Sequence, residues 1–212
     1  MTKRALTTRA CGTAMGAILL IGWAMAGCAP IDDDPLPEVV LLDIPDVAWD
    51  PARPDRSVGW CGEASIQMAL AYYGIERTQL EIHLAGNPDY ADLYAHEIAT
   101  ALDALRICYE RWPEENPDLD AFIAWIREHL AAGVPVFCGV KLFPDEHADW
   151  SLDHFVLVVG YDGDGLVMNT QLDMDGRIHV SYADLKSTAS PYAFANRWDE
   201  YFGRAILGAC DE

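Results

Sequence analysis

The chain has 212 residues, with 14 Lys and Arg against 34 Asp and Glu, and a formal net charge of −20 at pH 7. Such an acidic surface repels nucleic acid and anionic lipid head groups, so neither is an expected partner. An apolar content of 51% excludes a disordered chain, and the length suits one compact domain with a sizeable core.

Lys3, Arg4 and Arg9 precede an apolar run from Ala14 to Met25 that ends in Ala26, Gly27 and Cys28. A membrane-spanning helix needs about 20 consecutive apolar residues, so this shorter run predicts a secretory signal over residues 1–27. Its ending resembles the bacterial lipobox. That resemblance implies lipidation of Cys28 and, with Ala29 rather than aspartate following, an outer-membrane lipoprotein facing the periplasm or exterior. The lipid would be its only tie to the membrane. Residues 28–37, proline-punctuated and carrying Asp32, Asp33 and Asp34, predict a tether, and 38–212 the folded domain.

Of the remaining cysteines, Cys61, Cys108, Cys138 and Cys210, an oxidising compartment permits a disulfide among the last three. Their spacing does not choose the pair. No metal-type cysteine spacing and no cofactor motif is present.

The aliphatic run from Glu38 to Pro45 predicts a first strand, and Asp46 to Trp60 a loop. From Cys61 the spacing changes to threes and fours through Ala64, Ser65, Met68 and Tyr72, with Gly74 as the stop. This is a buried helix with a cysteine in its first turn. Two shorter helices are predicted over Thr78 to Ala85 and Ala95 to Leu105, then a strand over Ile107 to Trp112. Asp118 caps an amphipathic helix from Leu119 to Ala132. Thereafter the pattern is that of strands, over 134–143, 154–161, 166–169, 178–181 and 204–207, with a short helix over 182–186. Asp162 to Gly165 makes a hairpin turn between two of these strands. Helices first and an antiparallel sheet second is an α+β arrangement.

A thiol attacks as thiolate, and a helix N-terminus favours the thiolate through its unpaired N–H groups and positive dipole end. Cys61 occupies that position, and Gly62 removes a side chain beside it, where a substrate carbonyl would approach. His154 opens an apolar strand and can serve as base, and Asn169 closes the next strand of the same hairpin. Trp60, next to the nucleophile, is a candidate wall of the cleft. A metal held by His147, Asp149 and Asp153 is a weaker reading of that loop than a solvated acidic segment.

The segment Cys61-Gly62-Glu63-Ala64-Ser65, on a helix ending Tyr72-Tyr73-Gly74, and the segment Asp153 to Asp162 with Asn169, resemble the papain-like cysteine peptidases. The likeness is greatest to the bacteriocin-leader-processing family, family thirty-nine of that class. The resemblance implies an N-terminal helical lobe, carrying the nucleophile helix, packed on a C-terminal antiparallel sheet with a cleft between. It further implies Cys61 as nucleophile, His154 as base and then acid, Asn169 as the orienting residue, and a peptide or protein as substrate. Relatives carry aspartate at or just after the position of Asn169; here Thr170 follows. They also hold a glutamine before the nucleophile whose amide donates to the oxyanion. No glutamine precedes Cys61; Trp49 stands near that place and is the candidate oxyanion donor through its indole N–H, whereas Asp55 would repel an oxyanion. The expected activity is therefore that of a thiol hydrolase, peptidase or amidase. The alternative is a catalytically impaired fold that binds a peptide or protein at the envelope.

Overall fold

The computed structural model of the protein describes residues 35–113, 115–172 and 176–210. The predicted signal segment, Cys28 and most of the tether lie outside these residues. No described helix is long and apolar enough to cross a membrane.

The elements run β1 (Val40–Leu41), α1 (Cys61–Tyr72), α2 (Gln79–Gly86), α3 (Ala95–Ala104), β2 (Ile107–Arg111), α4 (Leu119–Ala131), β3 (Val136–Val140), β4 (His154–Tyr161), β5 (Gly165–Asn169), β6 (Arg177–Ser181), α5 (Tyr182–Leu185) and β7 (Gly203–Ala209). Most begin and end where the periodicity places them. The first strand differs: Leu42 N–H still donates to Val159 O at 2.8 Å, but Ile44 N–H turns back to Leu42 O. The apolar run thus supplies only two ladder residues, while Leu42 and Ile44 enter the core.

The sheet is antiparallel, in the order β2-β7-β3-β4-β5-β6, with β1 also on β4. Every residue of β4 is buried, because strands flank it and α1 and α4 pack against it. This explains its unbroken apolar sequence, since a strand covered on both faces has no reason to alternate. At Gly160 a Cβ would lie 2.4 Å from Val40 O, so β1 can approach only a glycine.

Local chemistry fixes the helix starts. Thr78 accepts from Glu81 N at 3.1 Å while Glu81 accepts from Thr78 N at 2.7 Å, a reciprocal cap on α2. Asp118 accepts from Ala121 N at 3.0 Å and starts α4. The sheet edge is closed covalently: Cys108 of β2 is bonded to Cys210, just beyond β7, while Cys138 in β3 is an unpaired thiol buried in the core. Helix α1 is buried from Gly62 to Leu70 apart from Gln67, and this includes the polar side chains of Glu63 and Ser65.

Candidate active site

Helix α1 has no side-chain cap at Trp60, so its first N–H groups are not consumed by a capping oxygen. Cys61 opens this helix, and the backbone N–H groups of Phe155 and Gly62 favour the charged form of its sulfur. Phe155 adjoins His154 at the start of β4. Cys61 and His154 line one pocket of about 410 Å³, together with Asp92, Tyr94, Trp150 and Ser151. The two residues expected to carry the chemistry are therefore brought to one cleft. A larger depression of about 680 Å³, beside Met68 and Tyr72 of α1, contains neither.

His154 is 4% exposed, and its Nε2 lies 3.1 Å from Thr170 O. A carbonyl only accepts, so Nε2 carries the proton and, in the neutral ring, Nδ1 is the basic nitrogen. Tyr192 stands edge-on to the imidazole at 6.3 Å.

The orienting role expected of Asn169 is corrected by the register of the hairpin. Asn169 pairs with Leu157, not with His154. Cross-strand partners share a face and alternate residues change it, so Asn169 and His154 point to opposite sides of the sheet. Its amide instead donates to Ile44 O at 2.8 Å and its Oδ1 accepts from Arg177 Nε at 3.0 Å. Thr170, one position on, supplies the contact through its main chain. Its carbonyl is held by an abrupt turn: Gln171 has φ 62°, is buried, and donates to Ser65 Oγ at 2.6 Å. Sequence reasoning passed over this device because the contact is made by a backbone atom.

The remaining expectations also shift. Trp49 does not line the pocket; its ring covers Gly59, where a Cβ would meet it at 2.3 Å, and its indole N–H is buried without a partner. Trp60 is packed in the helical lobe, donating to Ala91 O at 2.7 Å and stacking on His83. Gly62 is filled around by Ile98, Leu93 and Phe155, so the small residue serves packing between α1, α3 and β4 rather than substrate approach. The cleft walls come from Asp92, Tyr94 and Trp150, in loops whose periodicity carried no signal. In the acidic loop before His154, Asp149 pairs with Arg197, Asp153 with Lys141, and His147 stacks on Trp150. Among the described residues no group of side chains is arranged to hold a metal.

Burial pushes the Cys61 thiol up to about 12, with Glu63 and Asp92 adding to the rise and the Phe155 and Gly62 amides opposing it. Glu63 is itself raised by burial, although His83 Nδ1 at 2.9 Å and Leu93 N at 3.1 Å bond its Oε1.

A nucleophile helix packed on an antiparallel sheet, with a cysteine and a histidine facing one cleft, defines the papain-like α+β fold. The chain belongs to the Peptidase_C39 like family, whose model matches residues 41–205, and so to a papain-like class of cysteine peptidases. The fold is similar to that of a protein described as a C39-like peptidase from Bacillus anthracis, at a TM-score of 0.55 and 14% identity, over 82% of this chain and 100% of that one. It is also similar to the peptidase domain of Streptococcus ComA, a bi-functional ABC transporter involved in quorum sensing. There the TM-score is 0.52 at 13% identity, over 76% of this chain and 98% of that one. No protein of curated function matches the sequence.

Proposed function

We propose that the protein is a thiol-dependent acyl hydrolase, a peptidase or amidase, working through Cys61 and His154. The observation that carries this reading is the pocket that Cys61 and His154 share. Cys61 Sγ attacks the substrate carbonyl while His154 Nδ1 takes the thiol proton. The oxyanion that forms faces the N–H of Cys61 at the helix start. His154 then protonates the leaving amine, and water releases the acyl group from the thioester. The Thr170 carbonyl holds the imidazole in the tautomer this sequence requires. A neutral carbonyl stabilises an imidazolium less than a carboxylate would, which suits a base that is charged only during attack.

A second reading, a non-catalytic module that binds a peptide or protein, is favoured by the raised thiol and by the lack of the oxyanion glutamine. The two part on one experiment, in which the protein is mixed with a peptide thioester and its intact mass followed. An acyl adduct on Cys61 that turns over, and that is lost in His154→Ala, supports the hydrolase. Peptide binding with no adduct overturns it.

The basic, apolar and small-residue-Cys order at the N-terminus supports display on the cell envelope through lipid at Cys28, ahead of a short tether and a domain over 38–212. Incorporation of labelled fatty acid that persists in Cys28→Ser would contradict that placement.

A further inference from the structure

The pocket around Cys61 holds a charge that acyl transfer does not use. Asp92 lines it, half-buried; burial and the Glu97 charge raise its carboxyl, while its own backbone N–H and His83 favour the charged form. No Lys or Arg pairs with it among the described residues. The other carboxylate on the pocket wall, Asp153, is committed, to Lys141 Nζ at 3.2 Å and to the Leu142 and Phe143 N–H groups at 2.5 and 3.1 Å. A half-buried carboxylate with no Lys or Arg partner, and only the His83 ring to favour its charge, carries a desolvation cost that a cationic ligand would offset.

The rest of the pocket fits such a ligand. Tyr94 and Trp150 line it while remaining 45% and 52% exposed, and Trp150 is steadied by stacking on His147 at 4.1 Å. Aromatic faces at the mouth accept the methylene stem of a long basic side chain, and can hold its cation on the way to the acid. The preference is local to this end of the cleft. The adjoining depression, which shares Ala95, Ser151 and Leu152, carries Arg111, Arg204 and Glu200 instead.

We propose that the pocket selects substrates with a Lys or Arg side chain beside the scissile carbonyl, and that Asp92 is the specificity-determining carboxylate. This rests on the acyl-hydrolase reading above. The arrangement also couples selection to reactivity. The Asp92 charge disfavours the Cys61 thiolate, so a bound cation cancels part of the barrier to forming the nucleophile, and an apolar side chain does not.

The test uses peptidyl acyloxymethyl ketones that are identical except for arginine or norleucine next to the electrophilic carbon. In labelling, the Cys61 sulfur bonds that carbon and a carboxylate leaves, which the intact mass of the full chain records. The arginine probe is expected to label about tenfold faster, the scale of one charge-assisted contact. In Asp92→Asn the ratio falls toward one, and in Asp92→Glu the preference is partly regained. Equal rates in the wild type, with labelling still lost in His154→Ala, overturn the specificity and leave the hydrolase standing. Labelling by neither probe overturns both. A ratio that survives Asp92→Asn assigns the preference elsewhere and overturns the role of Asp92.

Discussion

The sulfur of Cys61 meets opposed influences, and their balance decides how the protein would react. A helix N-terminus and two amide N–H groups favour the thiolate, yet burial with the Glu63 and Asp92 charges lifts the thiol to about 12. At pH 7 the thiol form then predominates. Alkylation of Cys61 by iodoacetamide, mapped by peptide mass, should therefore rise about tenfold per pH unit from pH 7 to 9 without a plateau. A plateau across neutral pH would mean a preformed thiolate–imidazolium pair and would contradict the base mechanism. Cys138 is raised by burial as well and should stay unlabelled. Asn169 gives the second expectation at this scale. It is fully buried and ties Ile44 and Arg177 to β5, so Asn169→Ala should cost about 1–3 kcal/mol of stability by urea unfolding. The acylation rate of the folded protein, against a thioester substrate, should change little.

Between elements, the nucleophile helix and the catalytic strand are held by buried polar contacts. Glu63 links α1 to His83 of α2 and to the Leu93 N–H on the pocket wall. Because burial raises Glu63 above its ordinary range, its ionisation opposes folding: there is no penalty below the unfolded value, and one grows as pH rises through the folded value. On the sheet side, Lys141 Nζ meets Asp153 at 3.2 Å and His147 O at 2.6 Å, fixing the loop that ends at His154. Lys141→Met should destabilise by about 3 kcal/mol, since it leaves a buried carboxylate without its cation. It should also slow Cys61 acylation in the folded fraction, because His154 follows Asp153 directly. Unchanged stability would show that the Leu142 and Phe143 amides alone satisfy Asp153. Most elements were legible because apolar spacing and caps such as Asp118 are local signals. The polar links were not, since nothing in the spacing around Glu63 or Lys141 names the distant groups they bond. Asn169 misled for a related reason, because hairpin register changes the face at each residue and the bulge between Val158 and Gly160 leaves no sequence mark.

At the scale of the whole molecule, two different electrostatic effects act on a cationic substrate and can be separated. The net charge of −20 attracts a basic peptide from a distance, and salt screens that attraction over a Debye length of about 10 Å at 0.1 M. The Asp92 contact acts inside a partly desolvated pocket and is screened much less. For an arginine-containing substrate, kcat/KM should therefore fall several-fold between about 0.02 and 0.3 M salt, and that for its norleucine counterpart should stay nearly flat. Asp92→Asn removes one charge among many and leaves the salt slope almost intact, but it lowers the arginine preference at every salt concentration. If the preference instead vanished in high salt with Asp92 present, the selectivity would come from long-range attraction alone, and the pocket carboxylate would have no special part in it.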